Sequence, residues 1–65
     1  MADRWSVEIE PGVWLAPWSG DPGRTLVAGH ARLYATEREA MAGLAAARRY
    51  RPFKAARVVA VHGRA

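Results

Sequence analysis

The stretch Thr36-Glu37-Arg38-Glu39 leaves this chain little freedom about where its helix begins. Threonine three residues before glutamate is a capping box. The hydroxyl accepts from a free N–H at the helix start, and the glutamate reaches back to the threonine amide. Glu37 and Glu39 also set negative charge at the positive end of the helix dipole. Ala40, Leu44 and Ala47 then share one face, with Met41 at its flank. Arg48, Arg49 and Arg51 follow, at the end where cations are favoured, and Pro52 stops the helix after about Tyr50.

Before the helix the period changes from helical to alternating. Trp5, Val7 and Ile9 fall on one side of a strand, and Ser6, Glu8 and Glu10 on the other. Pro11-Gly12 is turn chemistry, and Val13–Ala16 reads as the returning strand, ended by Pro17, which cannot donate to a ladder. Trp18–Thr25 is a loop whose Asp21-Pro22-Gly23-Arg24 has the form of a type II turn. Leu26-Val27-Ala28 begins a third strand, kinked at Gly29-His30 and continued by Ala31–Ala35. After the helix, Arg57–His62 is a last strand, apolar enough for the inside of a sheet. The expected fold is α+β, a small antiparallel sheet in the order β-β-β-α-β with one helix packed on one face. It is a single domain over residues 1–65, with 1–3 and 63–65 frayed.

A chain of 65 residues buries only ~60% of its unfolded surface, so a scaffold of this size leans on a staple. With no cysteine, disulfides and thiolate metal sites are excluded. That leaves a well-packed core or self-association, and the 51% hydrophobic content can supply a core. The N-terminus shows no signal peptide, and no stretch approaches the ~18 apolar residues of a membrane span. The expectation is a cytoplasmic protein with no membrane partner.

Charge is unevenly spread. Asp3, Glu8, Glu10 and Asp21 against Arg4 give residues 1–23 a net −3. Glu37 and Glu39 against eight arginines and Lys54 give residues 24–65 a net +7. Two readings follow: a face drawn to an anionic partner, or excess charge that keeps a small protein soluble.

Catalysis finds little footing. His30 and His62 stand at unrelated positions, as a loop or edge residue and a strand-end residue, so no metal is expected. Ser6, Ser19, Thr25 and Thr36 lack a base and an orienting group, and Glu8 with Glu10 reads as an exposed polar face. Gly20–Thr25 fails as a phosphate loop, because Trp18 stands where the first glycine belongs and Arg24 replaces the lysine. No enzyme activity and no cofactor are expected.

Binding is the stronger class. Arg48, Arg49, Arg51, Lys54 and Arg57 interleave with Tyr50 and Phe53, the mixture that contacts phosphates and stacks on bases. The same residues also fit a helix C-terminus and a core closure. Trp14 and Trp18, with Asp21 and Arg24 in the loop, have the make-up of an interface hot spot. Trp14 packed on Pro17 or on the far sheet face is the plainer alternative.

Two resemblances bear on this. Val13-Trp14-Leu15-Ala16-Pro17-Trp18 running into Ser19–Val27 resembles small phage and prophage proteins that share a "YLAPW-x-GDPGRT" segment. Ala31, Tyr34, Thr36 and Arg51-Pro52-Phe53 match their later pattern, and the likeness covers about four-fifths of the chain. It implies a phage accessory protein that binds a host protein or nucleoprotein complex, in the manner of an anti-defence or anti-CRISPR inhibitor in the bacterial cytoplasm. Arg32–Ala40 is similar to the strand-into-helix step of the arm-DNA-binding domain of phage integrases, which implies nucleic-acid binding. The strand at Arg57–His62 departs from that domain. The readings carried forward are a host-binding accessory protein, a small basic nucleic-acid-binding module, and a self-assembling subunit, possible as a homodimer.

Overall fold

The computed structural model describes residues 4–62, so the expected fraying at both ends lies outside the described residues. The elements are β1 (Arg4–Glu10), β2 (Val13–Leu15), β3 (Arg24–Thr25), a 3-10 turn at Ala28–His30, α1 (Glu37–Ala47) and β4 (Arg57–Val61). The strands form one antiparallel sheet in the order β3-β2-β1-β4, and α1 packs across one face against β1 and β4. This is the expected α+β architecture.

The alternation in β1 decides which face is covered. Val7 and Ile9 are fully buried, and with Leu15, Ala40, Leu44, Ala47 and Phe53 they make the core. Complete burial of one such aliphatic side chain contributes roughly 1.5–3 kcal/mol. Glu8 lies opposite Trp14 on β2 and opposite Arg57 on β4, which puts all three on the far, open face. Gly12, at φ 78°, supplies the left-handed residue that the Pro11-Gly12 turn requires. A register shift between Glu8 and Glu10 follows, because β1 spends an extra residue against Val13.

Several expectations are corrected. The third strand is Arg24–Thr25, not Leu26–Ala35. The Thr25 hydroxyl accepts from the Val27 N–H at 3.1 Å, turning the chain away from the sheet and leaving Leu26 and Val27 exposed. Of the segment beyond, the Arg32 N–H donates to the Leu15 carbonyl of β2 at 2.8 Å, and Tyr34 bonds both ways with the Trp5 backbone at 2.8 and 2.7 Å. The helix ends at Ala47, and tighter bonds from Arg49 to Ala46 and from Tyr50 to Ala47 lead the chain out. β4 lies at the edge of the sheet, not inside it, since the central position is taken by β1. Gly23 lacks the positive φ of a type II turn, and Asp21-Pro22 is cis. What requires glycine there is contact: a Cβ on Gly23 would run into the Trp18 carbonyl, and one on Gly20 would lie 2.6 Å from the Gly23 Cα.

Thr36 is the helix N-cap, accepting from the Glu39 N–H at 3.1 Å. Replacing it with alanine is expected to cost about 1 kcal/mol. In a domain of this size that lowers the melting temperature by roughly 4–8 °C. A calorimetric scan of Thr36→Ala with no such drop would remove the cap from the account.

Candidate functional site

A groove of about 920 Å³ opens between α1 and the loop that follows β2. Its floor on the helix side is Ala42, Gly43 and Ala46, residues too small to fill the space. Tyr34 crosses it from the sheet side, and Trp18 and Tyr50 stand at its rim, 49% and 54% exposed. The loop keeps its wall by a backbone bond from the Ala16 N–H to the Gly23 carbonyl at 3.0 Å and by the close pass at Gly20 and Gly23. The Trp18 ring meets His30 edge-on, centroids 6.5 Å apart.

Tyr34 is what gives the groove a fixed shape. Its backbone is held by Trp5, its ring lies under the Arg32 guanidinium at 5.3 Å, and its far end rests on Gly43. Burial pushes its hydroxyl above the ordinary 10.0, with the Arg32 charge pulling the other way. Gly43 has a packing reason, since a Cβ there would meet the Tyr34 hydroxyl and sit 2.7 Å from Cζ.

The basic side chains divide by what they meet. Arg51 reaches Glu10 at 3.7 Å, and Arg57 Nε donates to Glu8 at 2.7 Å. Arg24 donates to the Pro22 carbonyl and Arg48 to that of Pro52, so both brace their own loops. Arg32 and Arg49 line the groove without a carboxylate partner among the described residues, and Glu39 is the one acid beside them.

The residues singled out from the sequence therefore do not form one surface. Trp18, Tyr50 and Arg49 share the groove, whereas Trp14 and Arg57 are on the open sheet face. Asp21 is at the exposed loop tip, and Lys54 lies near Glu10 beyond the helix. Phe53 is a core residue, 5% exposed, with Arg51 at 4.9 Å over its ring, so a base cannot stack on it. Its backbone takes φ 46°, unusual for a bulky residue, and is held there by the burial of that ring. Sequence reasoning missed Arg32, Tyr34 and Gly43 as groove residues. A glycine inside a helix was the available signal, since it costs about 1 kcal/mol against alanine and calls for a packing reason.

No family model, curated protein or solved structure matches this chain.

Among the described residues, no three His, Cys, Asp or Glu side chains gather to hold a metal, and no helix is long and apolar enough to cross a membrane.

Two outcomes test this geometry. Glu8 accepts from the Gly12 N–H at 3.1 Å and from Arg57, and these donors hold its carboxyl below the ordinary 4.5. The resulting stability is present above about pH 4.5 and is lost as pH falls through the lower value of the folded state. Glu8→Gln is expected to flatten that acid limb in melting temperatures measured against pH; an unchanged limb would assign it to other carboxylates. Gly43→Ala should destabilise by about 1 kcal/mol, overpacking against Tyr34 outweighing the helix gain. In a Tyr34→Ala background the same change should stabilise. Equal effects in both backgrounds would mean the ring does not press on Gly43.

Proposed function

We propose that this chain is a non-enzymatic accessory protein of phage type that binds a host protein or nucleoprotein complex, taking a segment of it into the groove between α1 and the loop at 16–23. The observation that carries the reading is the pairing of exposed aromatic rims, Trp18 and Tyr50, with two guanidiniums that meet no carboxylate among the described residues, Arg32 and Arg49, over a floor of small residues. Aromatic and arginine side chains around a recess are the anchors of protein interfaces, and the small floor lets an extended backbone come close. The phage setting rests on the resemblance over the Val13–Val27 segment, and action against host defence is the role that setting favours.

Direct nucleic-acid binding by the basic segment is the second reading. It keeps Arg48, Arg49, Tyr50 and Lys54 as contacts, but Arg51 and Arg57 are engaged by carboxylates and Phe53 is enclosed. Both readings leave the chain without catalytic machinery of its own.

The test is capture from bacterial lysate on the immobilised protein, with and without nuclease. A discrete protein that survives nuclease and is lost with Trp18→Ala or Arg49→Ala, but kept with Lys54→Ala, supports the groove. Each groove variant should weaken that complex by about 30-fold or more, a hot-spot loss of ~2 kcal/mol. Retention that disappears with nuclease and falls steeply with salt would transfer the function to phosphate contacts.

A further inference from the structure

The sheet ends on one side at β4, and among the described residues no strand or loop pairs with that edge. The N–H and C=O of Trp5 point toward Tyr34, bonded at 2.8 and 2.7 Å. Successive residues of a strand address opposite edges, so Arg4, Ser6 and Glu8 address β4, where they meet Val61, Val59 and Arg57. By the same alternation Val58 and Ala60 point their N–H and C=O away from the sheet. An edge of this kind is a template for another strand unless it is blunted by proline, a bulge or an inward charge. β4 has none of these: its register with β1 is unbroken, its sequence is Arg-Val-Val-Ala-Val, and its one charge is held by Glu8.

We propose that β4 pairs with β4 of a second copy of this chain, antiparallel about Val59, joining two sheets into one. Val59 then faces Val59 of the other copy, and Val58 and Ala60 exchange both backbone bonds across the axis. Arg57 comes opposite Val61, so no like charges are apposed. The helix supports the same arrangement. Gly43 and Ala46 face the groove, and Glu37, Met41 and Arg48 occupy the other flank of α1, within about 40° of one another at ~100° per residue. Met41 is 57% exposed there. A two-fold axis normal to the sheet runs the two helices antiparallel, turning the Glu37 end of one toward the Arg48 end of the other. The opposite sheet edge, β3, is only two residues long and offers no comparable template. The groove lies on the flank of α1 away from β4, so a dimer carries two open grooves and can bind a repeated target bivalently.

Sedimentation equilibrium and amide exchange test this together. The intact chain should sediment at twice its own mass at high concentration. The Val58 and Ala60 amides should slow by about 100-fold as the dimer fills. Ala60→Pro removes an outward N–H and leaves the β1 ladder intact, so it should sediment as a single chain with unchanged far-ultraviolet dichroism. A single-chain mass at millimolar concentration would overturn the proposal. So would a dimer in which the Val58 and Ala60 amides exchange freely, a reading that holds even where Ala60→Pro fails to fold.

Discussion

The domain depends on β1 being used on all four sides. One face carries Val7 and Ile9 into the core, and the other carries Glu8 to Arg57 and to the hairpin turn. One edge is divided between Tyr34 and β2, and the opposite edge is taken by β4. Of the large side chains, only Val7 and Ile9 are completely buried among the described residues. A strand so placed loses its hydrophobic and its hydrogen-bonded partners together if its register slips by one, because the slip exchanges its two faces. The bulge before Glu10 and the Glu8 contacts fix that register from the hairpin end. The Trp5–Tyr34 pairing fixes it from the other.

What the sequence made legible follows from how local each signal is. The cap at Thr36 and the alternation from Trp5 to Glu10 are complete within a few residues, and both stand in the structure, except that the Glu39 carboxylate meets the Thr36 hydroxyl at 3.4 Å and not the Thr36 amide. The stop at Pro17 and the left-handed Gly12 belong to the same class. Leu26 and Val27 misled because apolar, branched residues look like a strand, while a single hydroxyl on Thr25 turns the chain before a strand can form. The edge position of β4 was hidden for a related reason. A continuous apolar run marks burial by sheet or by helix, and cannot say whether the second edge has a neighbour. The groove was less legible still, because Arg32, Tyr34 and Gly43 acquire meaning only when strand and helix are brought together.

The basic segment shows how topology sorts charges that composition lumps. Arg51 and Arg57 look alike in sequence, yet each returns to an acid of β1, at Glu10 and Glu8. Positive charge in the second half of the chain is therefore partly spent on closing the fold against the acidic first half. Exposed pairs of this kind contribute little stability singly, so their consequence is chiefly for where potential remains. Among the described residues it remains at Arg38 and Lys54 and, within the groove, at Arg32 and Arg49, beside aromatic rings and a helix face with little side chain on it. A field concentrated in a recess acts on an incoming partner more selectively than the same charge spread over a surface.

The small residues of α1 that open the groove have counterparts on its core face, and these limit the core. Alanine at 40 and 47 lets α1 lie close to the sheet, and glycine at 43 gives Tyr34 its seat, but neither contributes much buried area. A helix face built this way exchanges hydrophobic stabilisation for access, and in a cysteine-free chain of 65 residues there is no disulfide to compensate. Pairing along β4 answers that deficit on the flank of α1 away from the groove. It adds backbone hydrogen bonds and covers Val59 and Met41 without drawing on Trp18, Tyr50 or Arg49. Stability and recognition then sit on opposite flanks of a single helix, so either flank can change without disturbing the other.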